Sequence, residues 1–511
     1  MDKATEEELA ERRRVARLMG GPEALERLHA AGKRSARERI DLLLDEGSFQ
    51  EIGIQGRSQH PGLRDRTPAD GLVAGSGRID GRIVYVVSED ATVLAGTRGR
   101  VAEAKIARIR ELALAHRKPF IALQEAGAGR FQESNGAVAA GMGVRFREHF
   151  LLSGVVPQVA GLMGACFGGP SFTAAQSDFV TITRTGFMGM SGPAVVRVGI
   201  GLDVSAEEIG GADKVATERG LADHLGETDA DSIAAIREVL SYFPSSSDEY
   251  PPVRPPSPAP GDTEEGQREI TALVSDNHRR AYDMRKLLRL IVDDGKLTPY
   301  KESYGPNLIT AWARIGGRAV GLVANQPMQL AGALDEKAAV KARRFIDVCD
   351  AFHIPIVSLI DCPGFLVGPD IEDRRMVVLA SQLLNSIVSA TVPKVTIILR
   401  KAIGLAYIAL GGKSTKPDRI VAWPTARFDV MGTAAGVELV HGKEIAKASD
   451  PVAKRAEILK KVEAESSAYL AAEMALIDDV IHPTETRQVI IHALDCTADR
   501  VVPGFKRRIM P

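Results

Sequence analysis

The amino-acid sequence predicts an α/β protein made of two tandem copies of one folding unit. Two observations predict this fold class: strand-like and helix-like segments alternate along the chain, and the two halves match each other at a fixed spacing. The chain has 511 residues, of which 45% are hydrophobic, and this is more than one hydrophobic core usually holds. We therefore expect two domains, each with helices packed on a sheet.

The internal duplication is visible as a constant spacing between matching positions, here called the repeat spacing. It separates Gly81 from Gly317, Pro119 from Pro355, Pro157 from Pro393, and Gly168 from Gly404. Leu94-Ala95-Gly96 is repeated at the same spacing as Leu330-Ala331-Gly332. One register kept over so many positions indicates duplication rather than chance.

A segment near the middle of the chain separates the two copies. Residues 244–266, PSSSDEYPPVRPPSPAPGDTEEG, are rich in proline, serine and acidic residues and lack hydrophobic periodicity. Such composition is typical of a surface linker. We therefore predict an N-terminal domain over residues 1–243 and a C-terminal domain over residues 267–511.

Within each half, short β-branched runs alternate with amphipathic segments. Residues 82–90 and 318–326 read as strands, and residues 100–115 and 336–352 carry apolar residues at helical spacing. Buried-looking strands then follow at PFIALQEAG and PIVSLIDCPG, and later at VPQVAGLMG and VPKVTIILRK. Residues 11–44 and 452–475 are predicted to be helical.

Composition argues against several classes of protein. The formal net charge of −1 does not favour a nucleic-acid binder, and we find no apolar signal region and no stretch that could span a bilayer. The four cysteines form no CxxC pair, and the ten histidines show no metal-ligand spacing. These features predict a soluble, cytoplasmic protein that holds no metal and contacts neither nucleic acid nor membrane.

Two glycine-containing junctions are the candidate catalytic features. Gly168 and Gly169 follow one predicted strand, and Gly404, Leu405 and Ala406 follow the matching strand of the second half. A glycine at a strand–helix junction lets backbone N–H groups point outward, where they can stabilise a developing oxyanion. The alternative is that these glycines only permit close packing of helix on strand. We find no GxSxG, HExxH or GxxxxGK[ST] motif that would offer different chemistry.

The order of motifs along nearly the whole chain resembles the carboxyltransferase (β) subunits of biotin-dependent acyl-CoA carboxylases, of the propionyl-CoA and methylcrotonyl-CoA carboxylase type. In the first half these motifs are GKRSARERIDLLLDEGSF, KIARIRELALAHRKPFIAL and SGVVPQVAGLMGACFGG. In the second half they are KARRFIDVCDAFHIPIVSLIDCPGFLVG, VPKVTIILRKAIGLAY and AWPTARFDVMG.

The resemblance implies two crotonase-like domains, a homo-hexamer, and active sites formed by the N-half of one subunit and the C-half of another. It implies that the N-half holds an acyl-CoA and the C-half holds carboxybiotin, which a carrier subunit brings from a biotin carboxylase. The amides of Gly168 and Gly169 would hold the thioester enolate oxygen. Those of Leu405 and Ala406, after Gly404, would hold the biotin ureido oxygen.

The remaining candidate binding residues lie beside these turns or near the N-terminus. The family's Asp-Ser-Gly-Gly-Ala-Arg segment appears here as residues 125–130, which contribute Gly127, Ala128 and Arg130. Ile408 stands where many relatives have Asp near the acyl pocket. Lys33, Arg34, Arg37 and Arg39 form a basic cluster suited to the CoA phosphates, or simply a solvated helix face.

One departure concerns the second turn itself. The family usually has Tyr-Gly-Gly-Ala where this chain has residues 403–406, Ile-Gly-Leu-Ala. The loss of glycine matters less if only the N–H is used, but leucine does not easily adopt a positive φ, and its side chain is expected to narrow the pocket. The leading function is carboxyl transfer to an acyl-CoA. The alternatives are biotin-dependent decarboxylation of a malonyl-type CoA, a crotonase-type hydratase or hydrolase, and a structural subunit without activity.

Overall fold

The computed structural model describes residues 2–141, 146–498, 500 and 504–511. The chain divides into two compact units, one formed by Met1–Tyr250 with Pro503–Pro511 and the other by Pro251–Val502. The division falls inside the predicted linker. In the part of the chain that is described, no helix is both long enough and apolar enough to cross a membrane.

The described residues of the first unit contain one eight-stranded sheet with the strand order β1-β2-β3-β4-β5-β6-β8, and β7 pairs with the end of β5. The strands are β1 (Gln50–Glu51), β2 (Leu72–Ile79), β3 (Arg82–Glu89), β4 (Phe120–Ala126), β5 (Gln158–Phe167), β6 (Phe179–Thr183), β7 (Phe187–Gly189) and β8 (His224–Gly226). The helices are α1 (Lys3–Leu18), α2 (Pro22–Ala30), α3 (Ala36–Leu43), α4 (Arg100–His116), α5 (Phe131–Ser134), α6 (Phe146–Leu152), α7 (Gly169–Ala175), α8 (Pro193–Ile200), α9 (Ala206–Gly210) and α10 (Asp229–Tyr242).

The second unit repeats this sheet, with the order β9-β10-β11-β12-β13-β14-β16 read from its other edge and β15 paired with the end of β13. The strands are β9 (Thr298–Tyr300), β10 (Leu308–Ile315), β11 (Arg318–Asn325), β12 (Ile356–Cys362), β13 (Lys394–Ile403), β14 (Arg419–Ala422), β15 (Arg427–Asp429) and β16 (Asp479–Val480). The helices are α11 (Glu264–Leu273), α12 (Met284–Ile291), α13 (Glu336–Ala351), α14 (Pro369–Asp373), α15 (Met376–Ser389), α16 (Gly404–Ala409), α17 (Thr433–Lys447), α18 (Pro451–Glu465), α19 (Ala468–Glu473) and α20 (Thr486–Cys496).

The two sheets confirm the predicted α/β duplication. In each, an antiparallel edge of three strands continues into a run of parallel strands. Strands β2, β3, β4 and β5 correspond to β10, β11, β12 and β13 at the repeat spacing read from the sequence. Strands β4 and β12 are buried along their whole length, as expected of near-continuous apolar runs in a parallel sheet covered on both faces.

The strand that leads to each candidate turn changes partner along its length. The first part of β5 pairs with β6, and its last residues, Ala165–Phe167, pair with β7 instead. Against β4, the register of β5 also shifts, so that Gln124 faces Leu162 but Ala126 faces Cys166. The same shift occurs between β12 and β13. An irregularity of this kind bends a strand and re-aims its end, so both strands deliver their final residues away from the main sheet.

Helix predictions are confirmed where the periodicity is long and unbroken. The helices predicted over residues 100–115 and 336–352 are α4 and α13. The helical material predicted over residues 11–44 and 452–475 is interrupted in both places. The first is broken at Gly20-Gly21 and again over residues 31–35, and the second at Ser466-Ser467. Ser467 caps α19 by accepting a hydrogen bond from the Leu470 N–H, which explains why a new helix begins there.

The predicted linker is less exposed than its composition suggests. Residues 244–247 are buried, and the Ser247 N–H donates to the Val155 carbonyl at 2.8 Å. The start of the segment is therefore packed into the first unit rather than lying free on its surface. The domain limits at residues 243 and 267 remain a prediction from composition.

The end of the chain packs on the first unit. The Ile509 side chain is 4% exposed, and its N–H donates to Ser153 Oγ at 2.9 Å. Arg508 Nη1 donates to the carbonyls of Leu151 and Ser153 at 2.7 and 2.8 Å. Gly154 has a φ of +68°, and a Cβ there would lie 1.9 Å from the Arg507 carbonyl oxygen, so only glycine allows the tail to lie this close.

Ile509→Ala is therefore expected to destabilise the first unit by about 2 kcal/mol, because it empties a buried site without changing the backbone. Amide hydrogen exchange along β5 measures the effect. Met510→Ala is the matched control, since that side chain is 58% exposed and its loss should leave exchange unchanged. Equal exchange in the two variants would show that the tail contributes no stability.

Candidate functional site

The first predicted turn joins β5 to α7 and has the geometry that the sequence suggests. Gly168 has a φ of +69°, which glycine adopts without steric cost. Gly169 is the first residue of α7 and is followed by Pro170, which fits the first helical turn because it has no N–H to leave unpaired. The turn therefore changes the direction of the chain within two residues.

The amides of this turn differ in their partners. The Gly168 N–H donates to the Gly189 carbonyl at 3.3 Å and so continues the pairing of β5 with β7. The Gly169 N–H lies in the first helical turn, where no intrahelical acceptor exists, and no hydrogen bond joins it to any group that the structure describes. The predicted pair of donors is thus unequal, since only Gly169 offers an unpaired amide.

The surroundings of the first turn include part of the predicted binding segment. A Cβ placed on Gly168 would lie 3.5 Å from Ala128 Cβ, so the turn and the 125–130 segment are neighbours. Ala128 itself has a φ of +77°, a strained conformation for a residue other than glycine. The Phe146 ring approaches Gly169 and lies 6.1 Å from the ring of Phe172. Both rings are partly exposed, which gives the turn an apolar border.

The second predicted turn joins β13 to α16 and repeats the first. Gly404 has a φ of +62°, and a Cβ there would lie 2.9 Å from the Val430 carbonyl oxygen, so glycine is required. Leu405 and Ala406 follow in the first turn of α16. No hydrogen bond joins their amides to another group in the described part of the chain, and an intrahelical partner is ruled out by their position.

Leu405 does not occupy the strained position that the family pattern suggests. Leu405 does not have a positive φ, because the left-handed conformation of this turn falls on Gly404 alone. Its side chain is 71% exposed and does not fill the turn. The expectation that leucine would be conformationally unfavourable here is therefore wrong. Ala406 is fully buried, and Ile408 is half-buried on the same short helix.

A buried charged cluster precedes the second turn, and sequence reasoning missed it. Asp361, at the end of β12, is fully buried and accepts from Arg400 Nε at 2.8 Å. Lys401 Nζ lies 2.8 Å from the other carboxylate oxygen. Arg400 also donates to three backbone carbonyls, those of Ser275, Asn277 and Arg280. The cluster fixes the end of β13 just before Gly404.

The corresponding position of the first unit carries Glu125, which is neutralised from a different element. Arg39 Nη2 lies 2.6 Å and Lys33 Nζ 2.8 Å from the Glu125 carboxylate. Gly164 stands where the second unit has Arg400, and a Cβ on it would lie 2.4 Å from Glu125 Oε1. A buried acid that recurs at the repeat spacing is the signal that could have revealed both clusters from the sequence.

Three basic residues predicted to bind ligands already have carboxylate partners. Lys33 is paired with Glu125, and Arg37 makes two hydrogen bonds with Glu51 at 2.9 and 3.0 Å. Arg130 is 2% exposed and donates to Asp70 and Glu133 at 2.6 and 2.7 Å. Arg39 is fully buried. Lys33, Arg37 and Arg39 therefore do not form a solvated helix face, and carboxylates compensate their charges, whereas Arg34 is exposed.

Asp361→Asn is expected to destabilise the second unit by about 3–5 kcal/mol, because it leaves the buried Arg400 and the partly buried Lys401 without a counter-charge. The loss in free energy of unfolding is measured by chemical denaturation, in which amide hydrogen exchange in β13 reports on unfolding. Glu444→Gln, which breaks exposed pairs with His441 and Lys454, is the control and should change exchange little. A variant at Asp361 as stable as the control would mean that the cluster does not hold β13.

Comparison with known proteins places these features in a family. The sequence model of the carboxyl transferase domain matches residues 27–509. The propionyl-CoA carboxylase beta chain of Roseobacter denitrificans is 39% identical over 491 residues, which cover 95% of each chain. The methylmalonyl-CoA decarboxylase subunit alpha of Propionigenium modestum is 37% identical over 494 residues, covering 96% of this chain and 95% of that subunit.

A solved structure supports the same assignment. The crystal structure of transcarboxylase 12S, a hexamer with methylmalonyl-coenzyme A and methylmalonic acid bound, superimposes with a TM-score of 0.90 at 36% identity. The match covers 99% of this chain and 97% of that one. The predicted pair of tandem crotonase-like domains is thereby confirmed. The chain belongs to the carboxyl transferase domain family.

Proposed function

We propose that this protein transfers a carboxyl group from carboxybiotin, carried by a partner protein, to an acyl-CoA. The observation that carries the proposal is the repeated turn. At Gly168 and again at Gly404, a left-handed glycine ends a parallel strand and is followed by amides without partners among the described residues. Both carboxyl donor and acceptor contain a carbonyl oxygen on which negative charge develops, so each turn has an oxygen to stabilise.

In the first unit, the proposed ligand is the thioester oxygen of the acyl-CoA. Making the carbon next to a thioester nucleophilic moves negative charge to that oxygen. The Gly169 amide is the principal donor, because the Gly168 amide is engaged with Gly189. Gly168 then acts by turning the chain. The apolar border of Phe146 and Phe172 would exclude water from one side of the acyl group.

In the second unit, the proposed ligand is the ureido oxygen of biotin. Two adjacent amides, those of Leu405 and Ala406, have no partner among the described residues and suit a carbonyl acceptor. Leu405 is exposed whereas Ala406 is buried, so we assign the Leu405 amide the principal role. When bound, biotin supplies the transferable carboxyl group and the base for the acyl α-proton. The fit needs no side-chain acid or base near Gly404, and the buried Asp361 is already neutralised by Arg400.

The other binding predictions are retained in a revised form. Ala128 adjoins the first turn and Gly127 precedes it in the chain, while Gly404 and Ile408 belong to the second turn. These four remain proposed contacts for the CoA thioester and biotin. Arg130, Lys33 and Arg37 are held by carboxylates. We assign them a positioning role, in which they fix the segments that bind the ligand.

The proposed partners are a biotin carboxylase and a biotin carboxyl carrier subunit, with this chain as a homo-hexamer. The hexamer is supported by the assembly stated for transcarboxylase 12S. A cytoplasmic location stays a prediction from the sparse cysteines, three of which are buried and unpaired in the structure while Cys496 is exposed and unpaired.

Decarboxylation of a malonyl-type CoA is the second candidate, since a methylmalonyl-CoA decarboxylase subunit is 37% identical to this chain. Carboxylation and decarboxylation need the same oxygens to be stabilised, so the geometry of the turns does not distinguish the two reactions.

The hypothesis of an inactive structural subunit was based on Leu405, and it loses that basis because Leu405 adopts no positive φ. A hydratase or hydrolase would need placed carboxylates at the first turn; Glu125, the acid of the neighbouring segment, is held by Arg39 and Lys33.

Gly169→Pro tests the first turn, because proline is tolerated at the first position of a helix but has no N–H to donate. We expect kcat for carboxyl transfer from a biotinylated carrier to propionyl-CoA to fall about 100- to 1000-fold. Gly169→Ala keeps the amide, and its Cβ would make only an ordinary 3.5 Å contact with Phe146, so its kcat should stay within a few-fold of wild type. Full activity in Gly169→Pro would remove this amide from the mechanism.

Leu405→Pro tests the second turn in the same way, and its exposed side chain removes no core packing. We expect kcat/KM for the biotinylated carrier to fall at least about 100-fold while CoA binding, measured by calorimetry, is unchanged. Leu405→Ala retains the amide and should retain activity. If both variants were equally active, the ureido oxygen would have to be bound elsewhere.

A further inference from the structure

A buried lysine of the second unit has no role in the proposed carboxyl transfer. Lys341 lies on the inward face of α13, and only 1% of it is exposed. Its Nζ carries up to three donors, and one hydrogen bond is found for it, to the Lys301 carbonyl at 3.2 Å. Burial, aided by the positive charges of Lys301 and Arg285, lowers the pKa of Lys341 to about 7. A substantial share of this amine is therefore neutral near pH 7.

Lys341 also borders a small cavity that reaches the surface. The cavity has a volume of about 20 Å³, enough to hold a water-sized molecule. Its walls come from α12, β9 and β10, and include Arg285, Arg289 and Glu302. Arg289 is exposed, so the cavity that Lys341 borders has one wall at the protein surface.

The charges around the amine favour an anion at its position over a cation. Arg285, Arg289 and Lys301 are positive, whereas Glu302 and Asp335 are the acids that face the site. Asp335 is occupied in capping α13 and in binding Asn307. Arg285 forms two long ion pairs: its Nε lies 3.5 Å from Glu302 Oε1, and its Nη1 lies 3.8 Å from Asp283 Oδ1. Its guanidinium therefore retains capacity to pair with a new negative group.

We propose that Lys341 is a carbamylation site, which reacts reversibly with dissolved CO2. The Nζ lone pair attacks the carbon of CO2 and forms an N–C bond, one C–O π bond becomes the second carboxylate oxygen, and one amine proton leaves to solvent. The reaction converts a neutral amine, at a site that disfavours the ammonium, into a carbamate anion that can pair with Arg285 and Arg289. It needs no metal and no other reactant.

The internal duplication provides a matched control. Lys105 precedes Lys341 by the repeat spacing, stands at the same place in α4, and is 7% exposed. Its Nζ donates to two carbonyls, those of Ala69 at 2.9 Å and Leu72. Burial lowers its pKa only to about 8, since Glu51 and Asp70 oppose the shift. These acceptors and acids stabilise the ammonium form of Lys105, so Lys105 should not carbamylate.

Trapping with triethyloxonium ions under 13CO2, followed by peptide mass spectrometry of the whole protein, tests the proposal. The label is expected on the Lys341 peptide and not on the Lys105 peptide. At a fixed CO2 pressure it should fall at least about tenfold from pH 8 to pH 6, because acid protonates the amine and reverses the proton release. An unlabelled Lys341 at pH 8, or equal labelling of both lysines, would overturn the proposal.

A second measurement reads the effect of the carbamate on stability. CO2 should raise the unfolding temperature of the second unit at constant pH, as any ligand specific to the folded state does. Lys341→Arg should abolish this rise and the trapped label, whereas Lys105→Arg should leave both unchanged. A rise that persists in Lys341→Arg would contradict the proposal. These readouts do not depend on carboxyl transfer, so they stand apart from the test of the two turns.

Discussion

The change of pairing partner along β5 and β13 is the constraint on which the rest of each unit depends. A strand that pairs with one neighbour in its first half and another in its second must bend where the partners change. The bend carries the strand end away from the sheet, and a left-handed glycine then starts a short helix. The first amides of that helix have no intrahelical acceptor. Unpaired donors are thus a product of the backbone path, and side chains are needed only to keep that path fixed.

Buried ion pairs keep the backbone path at the strand end fixed, and the two units use different residues to form them. In the second unit Arg400, on β13 itself, pairs with Asp361 of the neighbouring strand. In the first unit Gly164 occupies the position of Arg400, and the equivalent acid, Glu125, is met by Arg39 from α3. A duplicated backbone with rearranged ion pairs keeps the turn while changing what surrounds it. This is how one fold can present similar donors to two different ligands.

Much of the fold could be predicted from the sequence, because duplication and strand–helix alternation are properties of the order of residues. The positions of the turns at Gly168 and Gly404 were also predictable, since a glycine between an apolar strand and a helix is typical of a sharp turn. Three features were not. The engagement of the Gly168 amide depends on β7, a very short strand with no sequence signal. The helical backbone of Leu405 depends on which residue makes the turn. The partners of Arg130, Lys33 and Arg37 are acids that the fold brings near, and a basic cluster alone does not reveal them.

In the proposed function, a backbone amide after each glycine turn holds a substrate carbonyl oxygen. The carbonyl stretching frequency of a 13C-labelled acyl-CoA thioester bound to the protein, measured by isotope-edited infrared spectroscopy, tests it most directly for the first unit. A hydrogen bond from the Gly169 amide lowers this frequency. We expect a downshift in the wild-type protein and in Gly169→Ala that is lost in Gly169→Pro. An unshifted carbonyl in the wild type, or the same shift in Gly169→Pro, would contradict it.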